Sequence, residues 1–272
     1  MDLSNENVIH IRKDGIQYLQ FRKLLEFSEI IHAYSLGLEN NFRTSNFKEI
    51  NDKDVKDYKK ITRVLGSNYI NIVKPYQMHT DNIKIVKSKI NINCPDINNT
   101  EYENSDGLIT NMKNIMLTTT NADCILLLFY DPIRKVIANI HSGWRGTVQR
   151  ISIKAVEKMK SEYNSKPEDI ICCICPSIRK CHFEVEKDVK ELFEKEFNDL
   201  EEIKGIIEEK IPNKKWNIDT VLINKILLKK QGLKEKNIID SNICSVCNSN
   251  LMHSYRVEKK AFKLNTALIE IK

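Results

Sequence analysis

The clearest hydrophobic pattern lies in the middle of the chain, where residues 125–130 and 135–140 form two nearly continuous apolar runs. Runs of this length are typical of strands that are buried on both faces, and the short Asp-Pro turn between them predicts a hairpin. Cys124 opens the first run and His141 follows the second. Antiparallel pairing would therefore bring a thiol and an imidazole close together at one end of the hairpin.

Shorter segments rich in β-branched residues, at 69–73, 82–86 and 115–119, predict further strands. Helices are predicted in the second half of the chain, where two sets of apolar residues recur at helical spacing. The first set is Val148, Ile151, Ala155, Val156, Met159 and Tyr163, and the second is Val185, Val189, Leu192, Phe193 and Phe197. A third helix is predicted over 219–230, ahead of Gly232.

The order of these elements predicts the fold class. Strands precede helices without a strict β-α-β alternation, which favours an α+β fold with mixed β-sheets flanked by helices. We expect a single domain over residues 1–272. The polar, Asn-rich residues 88–106 predict a loop or β-excursion, and the charged residues 198–217 predict a second surface excursion.

Composition narrows the class of protein. A hydrophobic content of 41% with 29% charged residues is ordinary for a soluble globular protein. The net charge of +6 is spread along the chain, so no basic stripe for nucleic acid is expected. We expect no membrane span, because the apolar runs are too short, and no signal peptide. The sequence therefore predicts a cytoplasmic protein whose cysteines are mostly reduced thiols or metal ligands.

A third candidate ligand, His79, follows a strand-like segment upstream of the hairpin. Together with Cys124 and His141 it makes a plausible zinc set, and three protein ligands leave a fourth position open for water or substrate. The ligands lie far apart in the sequence and no local metal motif links them. The alternative is that these side chains are partly buried and satisfied by backbone hydrogen bonds.

The segment 143–147, Gly-Trp-Arg-Gly-Thr, directly follows this end of the hairpin. Its two glycines let the backbone approach a ligand closely, and Thr147 or a residue beside it can cap a helix. Free N–H groups there, with Arg145 alongside, favour an anion or phosphate site. The alternative is a tight turn with Trp144 in the core and Arg145 in a salt bridge.

The motifs of this region resemble a known family, and further motifs support the resemblance over most of the chain. They are Asn121-Ala122-Asp123-Cys124, His141-Ser142-Gly143-Trp144-Arg145-Gly146-Thr147, Gln77-Met78-His79, Asp106-Gly107-Leu108-Ile109-Thr110, Pro176-Ser177-Ile178, His182-Phe183-Glu184-Val185 and Ser254-Tyr255-Arg256. They resemble the YfiH/YlmD family, long labelled multicopper polyphenol oxidoreductases or laccase-domain proteins. That family is now regarded as zinc-dependent purine nucleoside phosphorylases that also deaminate adenosine.

The resemblance implies an enzyme with Zn²⁺ bound by His79, Cys124 and His141; copper is the less favoured metal. Its substrates would be phosphate and the purine nucleosides adenosine, inosine and S-methyl-5'-thioadenosine. The products would be the purine base and ribose 1-phosphate or methylthioribose 1-phosphate, with adenosine deaminase activity in addition. For deamination, zinc would lower the pKa of a water molecule that attacks the purine.

The matching motifs also suggest roles for residues around the metal. Asp123, next to a ligand, would transfer protons or orient a ligand, and Arg145 would stabilise the reacting phosphate. We assign phosphate or substrate binding to Arg145, Gly146 and Arg256. Of the remaining histidines, we assign no role to His10 and His32, whereas His182 and His253 lie beside family-like motifs and could line the pocket, although surface or packing roles are favoured for both.

Two departures from the family pattern concern the substrate site. An early motif that usually carries an arginine is Tyr34-Ser35-Leu36-Gly37 here, so a substrate or phosphate contact is missing unless Arg43 replaces it. Cys175 stands before Pro176 where glycine is usual.

Six of the seven remaining cysteines form two groups, and the favoured interpretation of both is small buried residues. The alternative is a second, structural zinc drawn from both groups. The groups are Cys172, Cys173, Cys175 and Cys181 upstream, and Cys244 and Cys247 in a CxxC downstream. Because the three-ligand site already accounts for the metal of an enzyme, we expect the CxxC pair to be dispensable for chemistry.

Three other functions compete with the purine nucleoside enzyme. The first is a metal-free hydrolase with Cys124 as nucleophile and His141 as its base. The second is copper-dependent oxidation of phenols, which is disfavoured because a laccase needs a multinuclear centre and the chain has only six histidines. The third is a binding module without turnover.

Overall fold

A computed structural model describes residues 1–44, 52–88, 95–97, 100–201 and 203–272. The strands are β1 (Val8–Lys13), β2 (Ile16–Phe21), β3 (Ile30–Leu36), β4 (Ile72–Lys74), β5 (Ile83–Ile85), β6 (Asp96–Ile97), β7 (Gly107–Thr110), β8 (Met116–Asn121), β9 (Ile125–Asp131), β10 (Val136–Ser142), β11 (Ile171–Ile174), β12 (Glu184–Val185), β13 (Ile207–Ile211), β14 (Lys215–Ile218), β15 (Ile238–Asp240) and β16 (Asn265–Ile271). The α-helices are α1 (Asp52–Leu65), α2 (Trp144–Val148), α3 (Ile151–Tyr163), α4 (Lys187–Glu196), α5 (Ile203–Ile206), α6 (Thr220–Lys230) and α7 (Tyr255–Glu258).

The strands form two large mixed sheets and a small third one, so the fold is α+β, as the sequence predicts. The first sheet has the order β1-β2-β3-β16-β8-β4-β6, and the second has the order β15-β11-β9-β10-β7-β5. One core cluster joins the two sheets: Leu117 and Ile269 of the first pack with Leu126 and Leu128 of the second. The outer face of the first sheet packs against α1, and that of the second against α3 and α6. Burial of this apolar surface is the main force that holds these four layers together.

The central hairpin is confirmed. Strands β9 and β10 pair antiparallel, with Ser142 opposite Ile125 and His141 opposite Leu126. Every residue of both strands is buried, because one face of each meets the first sheet and the other meets the helices. A strand with two buried faces needs apolar residues at nearly every position, which explains the continuous runs.

The helical predictions hold in part. The predicted helix through Val148 and Tyr163 is two helices, because Arg150 adopts a left-handed conformation (φ 57°) between α2 and α3. The Arg150 guanidinium is bound by Glu196 and Asp199, which explains how the break is stabilised. The helix predicted from Val185 begins later, as α4, because Val185 lies in β12. Helix α6 agrees with the prediction and is capped by Asp219, whose side chain accepts the Leu222 N–H.

Two strand predictions at 82–86 and 115–119 are confirmed by β5 and β8. The strand predicted at 69–73 is wrong in its first half, which is a 3-10 turn (Tyr69–Asn71) capped by the Asn68 side chain. Of the predicted excursion at 88–106, residues 89–94 and 98–99 lie outside the described residues. The excursion at 198–217 contains α5 and the hairpin of β13 and β14 in the third sheet, apart from residue 202, which is not described.

Across the described ranges, no helix combines the length and the apolar character needed to cross a bilayer.

Candidate metal centre and substrate cavity

Three side chains from separate parts of the chain converge at the end of the central hairpin. Cys124 lies directly before β9, His141 lies near the end of β10, and His79 follows β4. Their ligand atoms all lie within 4.8 Å of one another, and the Cys124 Sγ is 3.9 Å from the His79 Nε2. The structure therefore brings together the three residues that the sequence singles out as metal ligands.

Asp106 holds this cluster in place through hydrogen bonds. Its Oδ1 accepts a hydrogen bond of 2.7 Å from the His141 Nδ1, and this leaves the Nε2 of that ring to face the other ligands. The same carboxylate accepts the backbone N–H groups of Met78, His79 and Thr80 at 2.7–3.1 Å. One buried carboxylate thus fixes the orientation of one imidazole and the loop that carries the other.

The backbone approaches the side chains of the candidate ligands closely, and it is partly strained. A Cβ added to Gly143 would lie 2.8 Å from the His79 ring and 3.3 Å from the Cys124 sulfur, so only glycine fits there without displacing ligands. His79 (φ 61°) and Asp123 (φ 89°) both occupy the left-handed region, which costs non-glycine residues free energy. Such strain is tolerated where surrounding bonds hold it, as Asp106 does for the His79 segment.

The electrostatics of the cluster favour an ionised thiol. Burial opposes the thiolate, but His141 and His79 lower the pKa of Cys124 to about 6. Burial also opposes the imidazolium, yet Cys124 and Asp106 raise the pKa of His141 to about 9. The contact between Cys124 and His141 thus favours a thiolate beside a protonated imidazole. A bound metal ion would replace the imidazolium proton as the partner of the thiolate.

The donor set fits a metal ion. One sulfur and two imidazole nitrogens, with a carboxylate behind one imidazole, is the ligand chemistry of a zinc site with an open position. Cys124 and His79 also line a cavity of about 1050 Å³, so the open side of the cluster faces a space large enough for a substrate.

The cavity combines flat apolar surfaces with cationic groups. Five aromatic residues line it: Tyr76, Trp144, Phe183, Tyr255 and Phe262. Arg43, Arg145 and Arg256 also line it. The Arg145 guanidinium is exposed and stacks over the Trp144 ring at 4.1 Å, and no described carboxylate pairs with it. The alternative of a salt-bridged Arg145 beside a core tryptophan therefore has no support among the described residues.

The other predicted binding residues differ in their contacts and in their position relative to the cavity. Arg256 donates from its side chain to the Glu184 carbonyl and from its backbone to Asp123. Gly146 is buried in α2 and is not among the residues that line the cavity. Arg43, which could replace the missing arginine of the early motif, stacks over Phe262 at the cavity.

Asp123 lines the cavity, but both of its carboxylate oxygens accept hydrogen bonds away from the ligand side chains. Oδ1 accepts the Ser245 hydroxyl at 2.5 Å, and Oδ2 accepts the Ser254 hydroxyl and the Arg256 N–H. Orientation of a ligand, which the sequence analysis offered as one role for Asp123, is thus performed by Asp106. Proton transfer by Asp123 stays a prediction.

The interpretation of the remaining cysteines as small buried residues is confirmed for Cys172, Cys173, Cys175 and Cys244 and wrong for Cys181 and Cys247. Cys172, Cys173 and Cys175 are buried, and burial raises the pKa of each thiol. Cys181 and Cys247, by contrast, are exposed and lie beside Cys244 and His182. His253 is buried and bonded to the Asn40 carbonyl and to Glu258, so it packs the core and does not line the cavity.

Comparison with known proteins identifies the family. The family model for multi-copper polyphenol oxidoreductase laccase matches residues 39–272. The crystal structure of Bacillus licheniformis YfiH has a TM-score of 0.83, at 23% identity, over 96% of this chain and 98% of that one. The purine nucleoside phosphorylase YlmD of Bacillus subtilis (strain 168) is 27% identical over 210 residues, which are 76% of this chain and 74% of that protein. The chain belongs to the YfiH/YlmD family.

Relatives of this YfiH/YlmD member carry more than one enzyme name. Adenosine deaminase RL5, from an unknown prokaryotic organism, is 29% identical over 71% of this chain and 72% of that protein. Human LACC1, named a purine nucleoside phosphorylase, is matched over 52% of its own length, and its mouse counterpart over 35%.

Asp106 is the residue of this YfiH/YlmD site to which sequence reasoning assigned no role. It lies in one of the family-like motifs, directly before β7, yet no local pattern links it to His141. The pairing of β7 with β10 supplies the link, because the His141 N–H also donates to the Asp106 carbonyl at 2.7 Å. The signal that could have identified Asp106 is its position, because it is a buried acid directly before a strand that neighbours the hairpin.

Proposed function

We propose that this YfiH/YlmD protein is a zinc-dependent purine nucleoside enzyme. It cleaves adenosine, inosine and S-methyl-5'-thioadenosine with phosphate, and it also deaminates adenosine. The observation that carries the proposal is the convergence of three metal ligands at a cavity that also contains Arg145 and five aromatic rings. The enzyme names of YlmD and RL5 support both activities.

Zinc is the metal that this donor set suits best. A single thiolate and two imidazoles give a site of intermediate softness, and three protein ligands leave one coordination position free. When bound, zinc supplies a Lewis acid that polarises substrate atoms and activates water. A cytoplasmic location remains a prediction from the sequence.

The cavity residues provide the contacts that phosphorolysis requires. Phosphate attacks the anomeric carbon of the ribose while the purine leaves, so an anion and a flat heterocycle must be held side by side. Arg145 binds phosphate through charge-assisted hydrogen bonds, because no described carboxylate competes for its guanidinium. Trp144, Phe183 and Tyr255 offer faces on which the purine stacks.

Proton transfer to the leaving purine is assigned to Asp123. This carboxylate lines the cavity beside the ligand Cys124 and is 7% exposed. Its bonds to Ser245, Ser254 and the Arg256 N–H hold it in one orientation, as a positioned acid or base requires. Arg256 also lines this cavity, whereas Gly146 is buried in α2 and does not.

The proposal is tested by incubating zinc-loaded protein with each of the three nucleosides, with and without phosphate, and identifying the products by chromatography. We expect free base and a pentose 1-phosphate only when phosphate is present, and inosine from adenosine in its absence. Release of base at a rate independent of phosphate would refute phosphorolysis. The absence of any product from all three nucleosides would refute the proposal as a whole.

A metal-free hydrolase is the second candidate, and a specific observation favours it. Cys124, His141 and Asp106 form a thiolate–imidazolium–carboxylate series like that of a cysteine nucleophile and its base. Alkylation by iodoacetamide distinguishes the two. A metal site predicts that zinc protects Cys124 and that chelation exposes it, whereas a hydrolase predicts activity that survives chelation and is lost on alkylation.

Copper-dependent oxidation of phenols is the function that the family description suggests. A cysteine and two histidines can bind copper. However, the cavity cluster contributes three ligands, and the whole chain has only six histidines for a multinuclear centre. Metal analysis of the purified protein, with a phenol oxidation assay after copper loading, would decide against this function if turnover does not rise.

A further inference from the structure

We propose that Cys181, His182, Cys244 and Cys247 form a second metal site, which holds one zinc-type divalent cation in a structural role. These four residues form a group separate from the cavity ligands, and their ligand atoms all lie within 4.8 Å of one another. Three thiolates and one imidazole make a closed, four-ligand set, which is the pattern of structural zinc rather than of a catalytic site.

The distances agree with four ligands around one ion. Tetrahedral zinc separates two sulfurs by about 3.8 Å and a sulfur from a nitrogen by about 3.6 Å, given its usual bond lengths. The Cys181 Sγ lies 3.7 Å from that of Cys244 and 4.0 Å from that of Cys247. The His182 Nδ1 lies 3.2, 3.7 and 3.5 Å from the sulfurs of Cys181, Cys244 and Cys247. Each of these distances is close to the separation expected between two ligands of one tetrahedral zinc ion.

Two loops supply the ligands, and backbone bonds join them. Cys181 and His182 lie between β11 and β12, whereas the CxxC of Cys244 and Cys247 follows β15. A β-bridge links Ser177 to Cys244, and the Ser245 N–H donates to the Ser177 carbonyl at 3.0 Å. The short spacing of the CxxC is the common spacing of two ligands of one zinc ion. The ligands are therefore held together by a built scaffold.

The surroundings of Cys244 suit an anionic sulfur. Backbone N–H groups of Cys247, Arg179 and Val246 donate to this sulfur. Arg179 is itself fixed by a bidentate ion pair with Asp240 at 2.8 and 2.5 Å. Donors of this kind stabilise a thiolate ligand before and after a cation binds.

A disulfide explains the group less well. A bonded pair of sulfurs is about 2.05 Å apart, and all three cysteines are free thiols at much longer distances. A disulfide would also use two of the sulfurs and leave the third, together with the His182 imidazole, without a reason to converge. One shared cation accounts for all four.

The site would position two walls of the cavity. His182 is followed directly by Phe183 and Glu184, which line the cavity. On the other loop, Ser245 lies inside the CxxC and donates to Asp123 at 2.5 Å. A cation that ties the loops together would thus fix Asp123 on one side and the Phe183 wall on the other. The CxxC, expected from the sequence to be dispensable, acquires a positioning role.

The first test is to count metal ions in the purified, reduced full-length chain by inductively coupled plasma mass spectrometry. We expect about two per chain, falling to about one in the double variant Cys181→Ser/Cys247→Ser. Cys124→Ala should also lose one, but from the other site. Cys173→Ala is the matched control, because that thiol is buried outside both groups and its loss should destabilise the core without removing metal.

Cobalt loading adds a spectroscopic test of the same site. Three thiolates in one site and one in the other predict intense thiolate-to-cobalt charge-transfer absorption, of which Cys181→Ser/Cys247→Ser should remove most. One metal per chain in the wild type, with a cobalt spectrum that the double variant leaves unchanged, would overturn the proposal. Detection of a disulfide among Cys181, Cys244 and Cys247 by mass spectrometry under reducing purification would also overturn it.

Discussion

Replacing Asp106 with asparagine tests how the orientation of His141 affects metal binding. The three metal ligands themselves stay unchanged. Asp106 is 0% exposed, and its two oxygens accept hydrogen bonds from the His141 ring, three backbone N–H groups and the Thr80 hydroxyl. Asparagine keeps one acceptor oxygen and presents an NH₂ group in place of the other. Placing the NH₂ at the Oδ1 position loses fewer acceptor contacts, because that oxygen serves only His141 and the His79 N–H.

The consequence for His141 follows from its tautomer. An NH₂ group facing Nδ1 can donate only if Nδ1 is unprotonated, which moves the ring proton to Nε2. Nε2 is the nitrogen that faces Cys124 and His79, so a proton there blocks metal coordination. Loss of such a carboxylate typically weakens metal affinity by about 10- to 100-fold. The His79 N–H would also lose its acceptor, at a cost of about 1–3 kcal/mol for a buried group.

We therefore expect Asp106→Asn to bind zinc roughly 10- to 100-fold more weakly and to lose about 1–3 kcal/mol of unfolding free energy. Zinc affinity is measured by competition with a chromogenic chelator, and stability by urea denaturation of the metal-free chain. Asp123→Asn is the matched control, since that buried carboxylate bonds no ligand side chain. Zinc affinity within two-fold of wild type in Asp106→Asn would refute the tautomer argument, as would an equal loss in Asp123→Asn.

Three further substitutions test the same centre. Cys124→Ala should abolish metal retention at this site and turnover, because two neutral imidazoles cannot replace the charge of a thiolate; stoichiometric metal there with near-normal rate would show the ligand assignment to be wrong. Arg145→Ala should weaken phosphate-dependent cleavage about ten- to a hundred-fold while the metal content stays unchanged, and an unaltered phosphate dependence would remove that role. Gly143→Ala should weaken zinc binding, because its Cβ would meet the His79 ring at 2.8 Å, whereas Gly146→Ala, with its nearest contacts at 3.4 Å, should bind zinc normally.

The fold, and the proximity of Cys124 and His141, were predictable where a periodic pattern fixed the geometry. The apolar runs around the Asp-Pro turn predict a hairpin buried on both faces, and its antiparallel register places His141 near Cys124. The break between α2 and α3 was not predictable, because apolar spacing continues through Arg150 while its conformation depends on Glu196 and Asp199, far away in the sequence. Tertiary ion pairs leave no local signal at the position that they hold.

The second cysteine group was even less predictable from the sequence. Its ligands lie in loops, where side-chain direction follows neither the period of a strand nor that of a helix. The CxxC fixes only two of the four ligands, and its partner could have been any of the upstream cysteines. Cys172 and Cys173 are excluded because they alternate across β11 into the two cores on its faces. Cys181 remains because it lies beyond the strand, where the Ser177–Cys244 bridge turns its loop toward the CxxC. The choice among equivalent thiols is thus made by strand register and by one pairing between loops, and both are properties of the folded chain.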